Sequence, residues 1–81
     1  MNNQNSTEVL VKGFKKGLYQ HYKGNNYTVV DLVRHSETEE WLVLYQPCYG
    51  EKALWVRPIE MFFESVVDST GASVDRFKFV K

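Results

Sequence analysis

Residues Gly17–Arg57 read GLYQHYKGNNYTVVDLVRHSETEEWLVLYQPCYGEKALWVR and contain the pattern that decides the fold. Within this stretch, residues 17–23 alternate between two faces with a period of two, which is typical of a β-strand. The next residues, Lys-Gly-Asn-Asn at 23–26, are types that favour tight turns, and β-branched and aromatic residues dominate 27–33. The sequence therefore predicts a β-hairpin at the start of the domain.

Further strands follow this hairpin. Residues 41–46 are apolar on both faces, which indicates a central strand, and residues 53–56 resume strand character after a turn-rich segment. A last hairpin is predicted over residues 64–80, where charged and apolar residues alternate at the end. About five short strands with one helical turn predict a mostly-β fold, a small SH3-like barrel closed by pairing the last strand with the first.

The helical turn is predicted from Pro58, whose fixed φ suits the first position of a helix. A single turn over residues 58–63 would place Met61 and either Phe62 or Phe63 at one end of the core. Such a plug is expected because a small barrel leaves its end open to water.

The domain boundaries are predicted from the polar N-terminus. Residues 1–12 are expected to form a flexible tail, and residues 13–81 a single small β-barrel domain. Apolar residues lie among lysines in 8–16, and this pattern fits either a short strand or a turn of helix. A chain of 81 residues buries only ~60% of its unfolded surface, so one small core is expected.

Charge and cysteine content limit the classes of partner. Ten basic and ten acidic residues cancel, so no global field would attract nucleic acid or an anionic membrane. Cys48 is the only cysteine, which excludes an internal disulfide within one chain and is typical of a reducing compartment. The N-terminus has no secretion signal and no apolar stretch approaches ~20 residues, so a cytoplasmic protein without membrane association is expected.

A set of aromatic, glycine and charged residues at fixed spacing resembles a known bacterial family, the domain of unknown function 1653. The matching residues are Gly17, Tyr19, His21–Gly24, Tyr27, Arg34–Thr38, Tyr45–Gln46, Tyr49–Glu51, Leu54–Pro58, Glu60–Phe62 and Arg76–Phe77. Gln20 and Cys48 depart from the family's commonest residues. The resemblance implies a short domain that looks like an SH3-like barrel, and it implies no activity because no catalytic residue is established for the family.

The aromatic residues exceed what so small a core can enclose, so several rings should reach the surface. We predict a binding face of exposed rings beside an arginine that follows a tryptophan and precedes a proline. Its residues are Tyr22, Tyr49, Trp55, Arg57 and the loop Arg34-His35-Ser36-Glu37-Thr38. Two alternatives remain open: the rings serve the core, and Arg57 forms an internal salt bridge to Glu37, Glu51 or Glu60.

The loop from Arg34 to Thr38 also has two interpretations. A histidine beside a hydroxyl and a carboxylate suggests a nucleophile with its base, but catalytic triads are assembled from distant segments. The alternative is a connection in which the Ser36 and Thr38 hydroxyls bond backbone N–H groups. A metal site joining His21 and His35 to a nearby glutamate has no spacing signature, so no metal or cofactor is expected.

These observations favour a non-enzymatic binding module for a peptide, a protein or a small anionic ligand. A second hypothesis is single-stranded nucleic-acid binding, in which bases stack on the exposed rings. A small enzyme that depends on His21 or His35 ranks last. A homodimer is also compatible with a neutral, aromatic-rich face.

Overall fold

Seven strands and two short helices make up the fold of residues 5–81, the part of the chain described by the computed structural model, with side chains described from Thr7 onward. The elements are α1 (Asn5–Lys12), β1 (Gly17–His21), β2 (Asn26–Arg34), β3 (Trp41–Pro47), β4 (Trp55–Pro58), α2 (Ile59–Phe62), β5 (Ser65–Val67), β6 (Ser73–Asp75) and β7 (Phe77–Phe79). The predicted mostly-β class is confirmed, and the first hairpin lies where the turn residues indicate.

Five of the strands form one antiparallel sheet in the order β4-β3-β2-β1-β7. The last strand pairs with the first, as the barrel prediction requires, but β4 and β7 remain the two edges, so the sheet is not closed. Strands β5 and β6 pair with each other instead of bridging the edges. The Asp68 carboxylate closes their turn by accepting hydrogen bonds from the backbone N–H groups of Thr70 and Ala72.

One face of the sheet, here called the inner face, carries the core. The buried residues are Tyr19, Val29, Val43, Tyr45, Ile59, Phe62 and Phe77. Side chains alternate along each strand, and residues paired across strands share a face. Because Tyr45 is paired with both Val29 and Trp55, the inner face continues onto β4.

Helix α2 covers part of the inner face. Pro58, at φ −52°, sets the start of the helix, and Ile59 and Phe62 are fully buried. The Phe62 ring stacks on Phe77 with 4.1 Å between ring centres. Burial of Phe62 confirms one predicted plug residue, but Met61 is exposed and that part of the prediction is wrong, because one helical turn directs only residues three apart toward the same side.

Helix α1 occupies most of the segment for which the sequence suggests a flexible tail. Leu10 and Val11 pack against the core, and Thr7 Oγ1 donates a hydrogen bond to the Glu60 carboxylate on α2. The helix thus differs from the expected tail, because docking on α2 stabilises a segment that is too short to be helical alone. Residues 1–4 of the predicted tail lie outside the described residues. No helix in the described part of the chain is long and apolar enough to cross a membrane.

Candidate functional site

A cleft of about 430 Å³ opens beside β3 and β4, at the part of the inner face that α2 leaves uncovered. We call it the Arg57 cleft. It is lined by Tyr27, Tyr45, Pro47, Tyr49, Gly50, Glu51, Lys52, Ala53, Trp55 and Arg57. Strands β2, β3 and β4 supply its floor, and the connection between β3 and β4 supplies one wall.

Strand register places the floor residues together. Tyr45 lies opposite Trp55, and Val43 lies opposite Arg57, so the side chains of Trp55 and Arg57 both point to the inner face. The Arg57 backbone is held in an extended strand next to Pro58. The sheet therefore positions the guanidinium and the indole two residues apart on the same side.

The connecting loop is folded back by two residues in the left-handed backbone region, Gly50 at φ 66° and Lys52 at φ 57°. The Gln46 side-chain amide donates a hydrogen bond to the Lys52 carbonyl, and the Cys48 N–H donates to the Asn26 carbonyl at 3.0 Å. These bonds fasten the loop at both ends. As a result, Tyr49 is carried over the cleft toward Tyr27.

The Tyr27 and Tyr49 hydroxyls share a hydrogen bond of 3.0 Å. This bond, followed by partial burial, raises the pKa of Tyr27 to about 12. Each hydroxyl carries one proton, and only one proton is used in the shared bond. The pair therefore keeps a second O–H that can donate to a ligand at neutral pH.

Arg57 is the only cation of the cleft that is partly buried. Its Nε–H donates to the Tyr45 hydroxyl at 3.4 Å, and its guanidinium carbon lies 6.0 Å from the centre of the Phe77 ring. Among the side chains that the structure describes, the one salt bridge joins Arg76 to Glu64. The predicted alternative of an internal salt bridge from Arg57 is therefore not observed in this part of the chain.

The arrangement offers hydrogen-bond donors with flat apolar surfaces beside them. The terminal N–H groups of Arg57, the Tyr45 hydroxyl and the tyrosine pair can all donate, and a guanidinium fits a carboxylate or phosphate with two parallel bonds. Trp55 and Tyr49 are about half exposed and can cover a planar or apolar group. The loop adds Lys52 and Glu51, whose charges cancel, so the charge of Arg57 makes the net charge of the cleft positive.

The predicted loop from Arg34 to Thr38 lies away from this cleft. None of its residues lines the cleft: it begins at the last residue of β2, seven residues from Tyr27 and two residues beyond Leu32, which lies across β3 from Arg57. Arg34 stacks on Trp41 with its guanidinium carbon 4.2 Å from the ring centre. The structure therefore divides the predicted face: Tyr49, Trp55 and Arg57 meet in one cleft, and this loop does not join them.

The loop's polar groups bond to its own backbone. His35 Nδ1 accepts hydrogen bonds from the N–H groups of Glu37 at 3.1 Å and Thr38 at 3.2 Å. The Thr38 hydroxyl accepts one from the Glu40 N–H at 3.2 Å. This agrees with the structural interpretation for Thr38, while His35 provides the turn contacts that the sequence assigned to the Ser36 hydroxyl. Ser36 itself is exposed in the turn.

Tyr22 lines a different cleft, of about 530 Å³, between the end of β1 and the β5–β6 hairpin. Its ring lies against His21, with 4.7 Å between ring centres. The His21 ring also contacts Phe77 at 4.9 Å, and its Nδ1 accepts a hydrogen bond from the Lys23 N–H at 3.2 Å. Tyr22 and His21 thus support the first hairpin, apart from the Arg57 cleft.

His21 should make the stability of the domain depend on pH. Partial burial, then the positive charges of Arg76, Lys23 and Arg57, lower the pKa of His21 below its usual value near 6.5. Between the pKa of His21 in the folded chain and its pKa in the unfolded chain, the unfolded chain binds more protons than the folded one. The free energy of unfolding therefore rises with pH in this range, and stability is lost as the pH falls below 6.5. His21→Asn, which keeps a hydrogen-bond acceptor, is expected to reduce the fall in Tm between pH 7.5 and pH 5; an unchanged fall would contradict this prediction.

His21 ends β1 beside the start of β2, and His35 follows the other end of β2, so the length of that strand, roughly 25 Å, separates them. Over residues 5–81, no group of three or more His, Cys, Asp or Glu side chains is arranged to hold a metal ion. The proposed pairing of His21 with His35 is therefore not found.

Two aromatic residues of the cleft, Tyr27 and Tyr45, are not part of the predicted face. The period-two pattern identifies both as strand residues, but their position in the cleft depends on the register between β2 and β3 and on the register between β3 and β4. The register between β3 and β4 is set across a connection of residues 48–54, which is too long to determine strand pairing as a two-residue turn would. A register prediction placing Tyr27 opposite Pro47 and Tyr45 opposite Trp55 would find them.

The comparisons agree with the residues that carry the resemblance. A family model described as "Protein of unknown function (DUF1653)" matches residues 17–79, which include the whole Arg57 cleft. A crystal structure of a DUF1653 protein from Bordetella bronchiseptica is 32% identical in sequence, with a TM-score of 0.78 over 85% of this chain and 90% of that chain. No curated protein matches. The chain belongs to the DUF1653 family of proteins of unknown function.

Proposed function

We propose that the protein is a non-enzymatic binding module whose Arg57 cleft takes an anionic ligand, a peptide or a small molecule. The observation that carries this proposal is Arg57 itself, a partly buried guanidinium in an aromatic cleft with no carboxylate partner among the described side chains. Partly buried charges are usually paired, so an unpaired arginine aimed into a cleft favours a ligand as its partner.

The aromatic residues around Arg57 support the same function. Trp55 and Tyr49 leave about half of their side chains exposed. Exposed tryptophan, tyrosine and arginine grouped around one cleft are the residue types that dominate binding energy at interfaces. A ligand with an anionic group and an adjacent planar or apolar group would use all three.

Charge in this region favours a compact anion over a nucleic-acid strand. Single-strand binders need several cations along a groove, and here Lys52 and Arg57 are opposed by Glu51. The lone free cysteine, Cys48, fits the proposal that the module works in a reducing cytoplasm.

The first test is a titration of labelled protein with phenylacetate and with its neutral amide, followed by NMR chemical shifts. Phenylacetate should shift the amides of Trp55, Arg57 and the 48–54 loop, and the neutral amide should bind more weakly. Arg57→Gln should weaken phenylacetate binding by about 10–100-fold, the value of a hydrogen-bonded charge of ~1.5–3 kcal/mol.

The matched control is Arg34→Gln. Like Arg57, Arg34 lies near the end of a strand with its guanidinium over an aromatic ring, that of Trp41, but it lies outside the cleft. The Arg34→Gln substitution should leave the affinity for phenylacetate and the chemical shifts that phenylacetate causes unchanged. Equal binding of the acid and the amide, or shifts with an oligonucleotide alone, would contradict the proposed function.

A further inference from the structure

The cleft adjoins a free sheet edge. Strand β4 ends the five-stranded sheet, and on the described part of the chain no other strand pairs with its outer side. In an antiparallel pair, every second residue directs its N–H and C=O groups away from its partner. Strand β4 therefore presents backbone donors and acceptors directly beside the Arg57 cleft.

This edge has no lysine, but it carries one charge, the Arg57 guanidinium on the inner face, and ends at Pro58. A charge of this kind opposes pairing with a neutral or basic strand and favours a strand that brings a carboxylate. Leu54, Trp55 and Val56 are 61%, 55% and 53% exposed, and all three are apolar or aromatic. The opposite edge, β7, has Lys78 at its centre. Both edges of the sheet thus carry a cation, and the cation of β4 lies in an aromatic cleft without a described carboxylate partner, so an acidic strand would pair favourably there.

Given the function proposed for the Arg57 cleft, on which this inference rests, we propose that the ligand is an extended peptide segment. The segment adds to the outer edge of β4 as an antiparallel strand. Residues opposite each other in such a pair have Cβ atoms about 4.5–5.5 Å apart and lie on one face of the sheet. A peptide residue opposite Arg57 and a second one opposite Trp55 would both lie on the inner face. The residue between them would lie against Val56 on the outer face.

The side chains of β4 then specify the peptide. A glutamate or aspartate opposite Arg57 supplies the carboxylate that the guanidinium lacks. An aromatic residue two positions further along the peptide lies beside Trp55, and an apolar residue between them covers Val56. The recognised segment therefore reads acidic, apolar, aromatic in the direction from N- to C-terminus.

Charge selects this peptide over a second copy of the chain. Residues 54–58 read Leu-Trp-Val-Arg-Pro and contain no acidic residue. Pairing two β4 edges would leave both Arg57 guanidinium groups without a carboxylate and bring them onto one sheet. A foreign acidic segment provides the missing charge, whereas a second copy adds another positive one.

The test uses the full chain and a capped peptide with glutamate-valine-tryptophan at its centre. Two further peptides carry backbone N-methyl groups. The first is methylated on every second amide, and the second is methylated on the amides between them. Only one set faces β4, so one methylated peptide should bind at least about tenfold more weakly and the other should bind within about threefold of the parent. The parent should also slow hydrogen exchange of backbone amides in residues 54–56.

Phenylacetate binding tests anion binding by the cleft separately from strand addition at β4. If phenylacetate binds the cleft but both methylated peptides bind as well as the parent, strand addition is overturned and anion binding stands. If neither phenylacetate nor any peptide binds, both fail. If sedimentation shows a dimer and the amides of 54–56 shift with protein concentration alone, a second copy occupies the edge and the peptide proposal is overturned.

Discussion

Replacing Phe62 by alanine is expected to lower the free energy of unfolding by about 3–5 kcal/mol, the range for deleting a fully buried ring. Phe62 is fully buried, and its ring contacts four others, with ring centres 5.6 Å from Tyr19, 5.3 Å from Tyr45, 4.9 Å from Phe63 and 4.1 Å from Phe77. Nothing else in a core of this size can fill the resulting cavity. Urea denaturation followed by circular dichroism measures the loss.

The control for Phe62 lies one residue earlier on the same helical turn. Met61 is 45% exposed, so Met61→Ala should change the free energy of unfolding by less than about 1 kcal/mol. Both variants alter α2 by one side chain, and only one of them opens the core. Similar losses in the two variants would show that helix formation, and not packing of Phe62, limits stability.

Gly17→Ala is the second change with a large expected effect, a loss of about 2–4 kcal/mol from backbone strain and overpacking. Gly17 has φ +140°, and a Cβ atom added there would lie 2.6 Å from the Lys81 carbonyl oxygen and 3.2 Å from the Phe79 ring. That carbonyl accepts a hydrogen bond from the Leu18 N–H at 3.0 Å, so it cannot move freely. The end of the chain would have to shift away from β1.

Gly24 provides the matched control for Gly17. It also has positive φ, at +112°, but a Cβ atom there would meet nothing within 4 Å. Gly24→Ala should therefore cost only the strain of about 1–2 kcal/mol. Thermal unfolding of both variants tests the difference, and an equal loss would mean that contact with Lys81 contributes nothing.

Much of the fold could be predicted because the local patterns are strong. Turn residues at 23–26 determine the first hairpin, and the alternation of side chains identifies the strands around it. Pro58 marks the helical turn correctly. The pattern of residues 8–16 does not distinguish a strand from a turn of helix, because the apolar residues of the N-terminal helix gain stability only when they pack on α2 and the sheet.

The candidate site could be predicted only in part. Arg57, Trp55 and Tyr49 are close in sequence and meet in the structure, so composition and spacing were enough to select them. Tyr22 and the Arg34–Thr38 loop carry equally suggestive residues, but they lie at other parts of the sheet. Sequence distance does not reveal this, because a strand of nine residues places its ends far apart.

The sequence by itself determined the mostly-β class, the first hairpin, the position of β3 inside the sheet, the helical turn after Pro58 and, through the resemblance, membership of the DUF1653 family. These features depend on residue types and short-range periodicity, which each segment carries alone. Only the tertiary structure decided that the sheet stays open at β4, that Tyr27 and Tyr45 join Arg57 in one cleft, and that Arg57 has no described carboxylate partner. Strand register and loop path set these features, because both depend on contacts between segments distant in sequence.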